Sequence, residues 1–141
     1  MKNSLRNKIL ISFLLIFLCT TILVYAQEEI TLDNGLKYVD TTVGTGDLPR
    51  KGQTLIVNYI GKFLDGKIFD SSVERNEPFE FEFGTSNIIP GWNIGFATMK
   101  EGGKRKLIIP PELAYGKDGA GDVIPPNTTL VFEVELIKIK K

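Results

Sequence analysis

Histidine is absent from all 141 residues, and cysteine occurs once, at Cys19. Without histidine there is no Ser-His-Asp or Cys-His catalysis and none of the usual zinc sites. The first part of the chain lacks something else: between Ile9 and Gln27 there is not one charged residue. Cys19 lies inside that apolar run, so the chain beyond it has no disulfide and no thiol nucleophile. Any chemistry carried by the remainder must work without a covalent sulfur intermediate and without a shuttled imidazole proton.

The uncharged run is preceded by Lys2, Arg6 and Lys8 and closes on "VYA" at 24–26. A basic head, an apolar middle and an A-x-A-like end describe a signal peptide over 1–26. The run is also long enough to stay in a bilayer as one spanning anchor. Lipid attachment at Cys19 fits less well, because the large Leu18 precedes it. Cleavage after Ala26 leaves 115 residues, enough for one domain with one core. It also lowers Lys plus Arg from 17 to 14 while Asp plus Glu stays at 17, a net charge of −3. A mildly acidic domain offers no electrostatic footprint for nucleic acid. The one dense basic cluster, "GGKRK" at 102–106, reads as a solvated strand edge.

Residues 27–35 are polar and read as a short tether to a domain over 36–141. "LKYV" (36–39), "TLIVNYIGKF" (54–63), "KIFDSS" (67–72), "PFEFEFG" (78–84), "KRKLIIP" (104–110) and "TLVFEVELIKIK" (129–140) carry strand patterns, with an Asp-Gly hairpin signal at "LDGK" (64–67). "PGWNIGFATMKEGG" (90–103) is the one helical stretch, about two turns long, with Trp92, Phe96 and Met99 on one face. The pattern predicts an α+β fold: a twisted antiparallel sheet of about five strands wrapped around one short helix.

The glycine-rich "GTGDLP" and "GKDGAGD" do not complete a dinucleotide or Walker signature, and Asp118 and Asp122 lack calcium-loop spacing. They read as turns. The aromatic residues carry more information. Tyr59, Phe69, Phe79, Phe81, Trp92, Tyr115 and Phe132 come from six separate segments, and "FEFEF" puts Phe79, Phe81 and Phe83 on one face of a strand. A core alone accounts for Phe83 and Phe96. Tyr and Trp need a place for a polar edge, and Asp70, beside Phe69, needs a partner.

"VNYIGKFLDGKIFDSSVERNEPFEFEFG", "IIPGW", "AYG" and "VIPPNTTLVFEVEL", in this order and spacing, resemble the FKBP-type peptidyl-prolyl isomerases, the family inhibited by tacrolimus and rapamycin. The likeness spans about residues 36–141. It implies Trp92 as the floor of a proline pocket, with Tyr59, Phe69, Phe79, Phe81, Val123, Ile124 and Phe132 around it. It implies Ile88 and Ile89 at the rim, the Ile89 N–H binding a substrate carbonyl, and Tyr115 as a hydroxyl donor. Asp70 corresponds to an acidic residue tied to Tyr59 and Arg75. Pro90 stands where a basic residue is common, and Ala120 where some members carry histidine; both bear on preference and drug affinity. No chaperone insertion is read within 110–130, and no helical dimerisation segment before residue 36.

The resemblance implies a monomer that needs no cofactor or metal. Its partners would be proline-containing polypeptides and tacrolimus- or rapamycin-type inhibitors. Nucleic acid is not among them, and a membrane only through an uncleaved N-terminus. A second reading stays open: a chaperone-like module that holds proline-containing or unfolded segments with little turnover. A purely structural envelope domain would leave the Tyr59, Asp70 and Tyr115 set without a reason. Export, to a periplasm or to the medium, predicts that the native protein begins at Gln27. Intact-mass spectrometry checks this, and a mass that includes Met1 or Lys2 would instead indicate an anchored form.

Overall fold

The computed structural model describes residues 27–141; the signal or anchor reading of 1–26 lies outside the described residues. The elements are β1 (Glu29–Thr31), β2 (Lys37–Thr42), β3 (Thr54–Lys62), β4 (Ile68–Ser71), β5 (Phe79–Glu82), α1 (Pro90–Phe96), β6 (Lys104–Ile109), a 3₁₀ turn at Pro111–Leu113 and β7 (Leu130–Ile139). All pairings are antiparallel, in the order β1-β2-β6-β7-β3-β4, with β5 also on β3. Among the described residues no helix is long and apolar enough to cross a membrane.

The sheet has seven strands where the sequence predicts about five. One addition is β1, within the segment expected to be a tether; it lines Glu29–Thr31 against Val39–Lys37. It is held by backbone pairing to β2 and an exposed Glu29–Lys37 ion pair, and its three residues are all exposed, so they give little periodic signal. Both segments that carry strand patterns after β3 pair with it and share its outer edge. Thr54–Val57 pair with β5, and Ile60–Lys62 pair with β4. Residues 72–78 leave the sheet between the two. The hairpin at "LDGK" is a three-residue loop closed by Phe63 and Lys67, with Gly66 at φ +90°.

The inner face follows the alternation of β3 and β7. Leu55, Val57 and Tyr59 point inward from β3, and Leu130, Phe132, Val134 and Leu136 from β7. Opposite Ile56 and Val57 the register shifts, so that Ile139 rather than Lys138 is buried.

The helix takes up the first seven residues of the 90–103 stretch, about two turns, as predicted. Met99 N–H turns back to the Phe96 carbonyl, and the Gly95 carbonyl is taken by the Arg105 guanidinium at 2.7 Å. Arg105 also corrects the reading of 102–106 as a solvated edge. Strand β6 lies between β2 and β7, and Arg105 is 4% exposed while Lys104 and Lys106 face out. Its guanidinium grips Asp40 at 2.7 and 2.9 Å, reaches Thr98 at 2.9 Å and lies 4.0 Å from the Tyr38 ring centroid. This joins β2, β6 and the end of α1 through a charge-assisted network.

Helix α1 approaches β6 through glycine. A Cβ on Gly91 would lie 2.4 Å from Ile109 Cγ2 and 3.0 Å from the Leu113 carbonyl oxygen; one on Gly95 would lie 2.7 Å from Leu107 Cδ2. Ile109 and Leu107 are fully buried and have no room to retreat. Gly91→Ala is therefore expected to destabilise the domain by about 1–3 kcal/mol, the usual cost of overpacking. Denaturant unfolding checks this, and a stability equal to wild type would show that the helix has slack against the sheet.

Candidate active site

Trp92 sits in the first turn of α1 and is 3% exposed. Its indole meets Tyr59 at 5.2 Å, Phe81 at 5.4 Å, Phe132 at 5.4 Å and Phe79 at 5.9 Å between ring centroids, with interplanar angles of 64–88°. These are edge-to-face contacts, favoured by the ring quadrupoles. Phe69 joins through Phe132, at 5.7 Å. The phenylalanines at the start of β5 divide by depth. Phe81 is 8% exposed, whereas Phe79, opposite Val57, is 37% exposed with its ring stacked 6.1 Å from Phe81. Phe83 packs against the core and makes no ring contact with Trp92.

Glycine again permits the approach. A Cβ at Gly61 would fall 2.6 Å from Phe69 Cζ and 3.0 Å from Phe132 Cε1, so both rings lie across bare backbone. Asn93 anchors the helix from the other side. Its Oδ1 accepts the Gly84 N–H at 2.9 Å, and its Nδ2 donates to the Thr85 carbonyl at 2.7 Å.

The polar side of the site is built on Asp70. Its Oδ2 accepts a hydrogen bond from the Tyr59 hydroxyl, and its Oδ1 accepts from Arg75 and from the Ser71 N–H. Arg75 also donates to the Tyr59 hydroxyl oxygen at 3.2 Å. Burial pushes the Asp70 carboxyl up, but the hydrogen bonds from Tyr59 and Arg75 outweigh it and hold the group below its ordinary value. Burial, and then the bond to Asp70, push the Tyr59 phenol up. Tyr115 is raised by burial and by the nearby Asp70 charge, and its hydroxyl has no hydrogen-bond partner among the described residues. The site thus holds an ionised carboxylate, a guanidinium and two neutral phenols around neutral pH.

The residues named from the sequence do not all share one environment. Tyr59, Phe69, Phe79, Phe81, Trp92 and Phe132 form one ring cluster, and Asp70 and Arg75 join it through Tyr59. Ile88 and Ile89 pack against the core at the entry to α1. The Ile89 carbonyl accepts the Trp92 N–H at 3.0 Å, while the Ile89 N–H donates to none of the described residues. Ile124 is 4% exposed and part of the core, but Val123 beside it is 57% exposed. The buried Trp92 Nε1 has no acceptor among the described residues. Among the described residues no cluster of His, Cys, Asp and Glu could hold a metal ion.

Two hollows lie elsewhere. One, of about 380 Å³, faces Lys104, Lys106, Glu133 and Glu135 on the outside of the sheet; the other, of about 1130 Å³, faces Glu101 and the C-terminal lysines. Both are ringed by charged side chains, so size alone does not point to the aromatic cluster.

Ser72 was missed by sequence reasoning. It is fully buried, its Oγ accepts the Tyr59 N–H at 2.8 Å, and its own N–H donates to the Tyr59 carbonyl at 3.0 Å. It fixes the backbone from which Tyr59 reaches Asp70. The two serines that end "FDSS", just where β4 stops, were the available signal.

Comparison with known proteins agrees with this architecture. The profile of the FKBP-type peptidyl-prolyl cis-trans isomerase family matches residues 46–137. An FK506-binding protein of Neisseria meningitidis serogroup B is 50% identical over 105 residues, 74% of this chain and 96% of that protein. FkpA of Escherichia coli, an FKBP-type peptidyl-prolyl cis-trans isomerase, is 50% identical over 110 residues, 78% of this chain and 40% of that protein. The crystal structure of Escherichia coli FkpA superposes with a TM-score of 0.75 at 49% identity, covering 79% of this chain and 51% of that one. The chain belongs to the FKBP-type peptidyl-prolyl cis-trans isomerase family. Several curated relatives are longer, and the matched region spans 30%, 62% and 40% of three of them.

The depressed Asp70 carboxyl sets a pH dependence of stability. A group whose folded pKa lies below its unfolded value stabilises fully above the unfolded value, here the ordinary 3.8. That contribution is lost as pH falls through the lower folded value. Asp70→Asn should therefore be less stable than wild type at pH 6, with the difference shrinking below about pH 4. Thermal unfolding from pH 6 to pH 2 checks this; a gap that stays constant over the range would mean that the carboxylate charge plays no part.

Proposed function

We propose that this protein accelerates cis–trans rotation about X–Pro bonds in exported polypeptides. The observation that carries the reading is Trp92, buried edge-on among Tyr59, Phe79, Phe81 and Phe132, with the Tyr59–Asp70–Arg75 cluster beside it.

Rotation about an X–Pro bond has a barrier of about 20 kcal/mol and takes tens of seconds or longer unaided. The planar amide is stabilised by charge-separated resonance, which water favours. The twisted transition state has lost that resonance. An apolar hollow therefore disfavours the planar amide relative to the twisted one, which is differential binding of the transition state. The prolyl ring would sit over Trp92, against Phe69, Phe79, Phe81 and Phe132. The Ile89 N–H and the Tyr115 hydroxyl, both without a partner among the described residues, would hold flanking carbonyls, with Ile88, Val123 and Ile124 completing the rim.

Asp70 holds Tyr59 and Arg75 in place. Its lowered pKa makes it a poor proton acceptor near neutrality, and the raised Tyr59 and Tyr115 make poor proton donors there. No step needs a proton to move. The basic head, apolar run and "VYA" support export before the domain acts.

Residues 27–141 should catalyse isomerisation of an X–Pro peptide in a protease-coupled assay, and saturating tacrolimus should abolish it. Trp92→Leu should lower kcat/KM by about tenfold or more, the equivalent of 1.4 kcal/mol of transition-state binding. Peptide binding without turnover would replace this reading with a holding module. Turnover indifferent to the drug would remove the pocket assignment.

A further inference from the structure

We propose that Arg105 is a positioning residue for the candidate site: by holding the Gly95 carbonyl it sets the place of α1, and with it Trp92, among the surrounding rings. The inference rests on the isomerase reading above. Among the described residues Arg105 is the only charged side chain that is buried. Its fork has two sides. Nε and Nη2 donate to the two Asp40 carboxylate oxygens on β2, at 2.7 and 2.9 Å. Nη1 reaches the other way, to the Gly95 carbonyl at 2.7 Å and to Thr98 Oγ1 at 2.9 Å. The guanidinium carbon lies over the Tyr38 ring, 4.0 Å from its centroid.

Stability alone is a poor reason for such a charge. A buried ion pair exchanged for apolar side chains often leaves stability unchanged or higher. What an apolar residue cannot do is donate to Gly95. That residue is buried, and the backbone donors next to it are spent: the Ala97 N–H goes to the Ile94 carbonyl and the Met99 N–H to the Phe96 carbonyl. The helix has few other restraints of its own. It is seven residues long, has no side-chain cap at its N-terminus and carries no basic residue in its last turn. A helix of two turns is too short to be stable by itself, so contacts from outside decide where it sits. Asn93 ties it to the turn after β5, and Arg105 ties it to β6 and β2. Gly95 follows Trp92 by three residues, about 4.5 Å along the axis. Phe96, next to Gly95, has its ring 5.5 Å from those of both Trp92 and Phe81. A displacement at Gly95 is therefore passed to the floor of the site, and a site that acts by shape loses rate steeply with shifts of about 1 Å.

The test compares three variants of the native protein: Arg105→Met, Arg105→Lys and Asp40→Asn. Denaturant unfolding gives the stability of each. Under conditions where each is fully folded, kcat, KM, peptide affinity and the emission of Trp92, the only tryptophan in the chain, are then measured. Arg105→Met releases the Gly95 carbonyl. It should lower kcat/KM by about threefold or more and shift the Trp92 emission. Asp40→Asn removes the charge partner and leaves the guanidinium on Gly95. It should lose stability, yet keep the wild-type emission and a kcat/KM within about twofold of wild type. Arg105→Lys keeps the charge but not the fork, so it should fall between wild type and Arg105→Met. If Arg105→Met does not fold, Arg105→Lys set against Asp40→Asn decides in the same way. Wild-type emission and kcat/KM in folded Arg105→Met would show a purely structural role and overturn the proposal. So would an Asp40→Asn that loses as much activity as Arg105→Met, because the loss would then follow stability and not the Gly95 bond. Peptide binding without turnover would sink the isomerase reading alone, since affinity and emission still report the place of Trp92.

Discussion

Trp92 is a large aromatic residue set at the start of a seven-residue helix, and the structure is arranged around its burial. A ring of that size can be buried only if the helix comes close to the sheet and if other rings present their edges to it. Gly91 and Gly95 meet the first need by letting α1 approach Ile109 and Leu107. Tyr59, Phe81 and Phe132, from three different strands, meet the second. Gly61 then leaves room for Phe69 and Phe132 to spread over bare backbone. Arg105 and Asn93 hold the two ends of the arrangement, one through the Gly95 carbonyl and the other through the turn after β5.

The ionised groups of the candidate site itself lie on one side of this apolar assembly. Asp70 is shared between a phenol and a guanidinium, and Ser72 fixes the backbone behind that phenol. The arrangement holds each group in the charge state it already prefers near neutrality. That is the opposite of a general acid–base site, where a group is tuned to titrate near the working pH. The lack of histidine and the quiet titration of the cluster therefore point the same way. A site that worked as proposed, by excluding water and fitting a twisted amide, would have no use for a group that changes charge.

Much of this was legible because the aromatic residues alternate on strands. In "FEFEF" and "TLVFEVEL" the period of two separates inward rings from outward glutamates without further information. Arg105 was not legible. Between two lysines it has the look of solvated charge, and only the fold brings Asp40, Thr98 and the Gly95 carbonyl around it. Strand β1 was hidden for a related reason: its pairing is backbone to backbone, and its side chains stay exposed. Val123 and Ile124 are neighbours that the resemblance takes together, yet one is in solvent and the other in the core. Ser72 lies in a quoted motif, but its importance comes from a backbone contact thirteen residues away.

The central claim is that X–Pro rotation proceeds here by desolvation and shape, with no proton in flight. The most direct measurement is the solvent isotope effect on kcat/KM for an X–Pro peptide, comparing H₂O with D₂O. Catalysis without proton transfer predicts a ratio of about 1. A ratio of about 2 or more, lost in Asp70→Asn, would mean that Asp70 moves a proton in the rate-limiting step and would contradict the account.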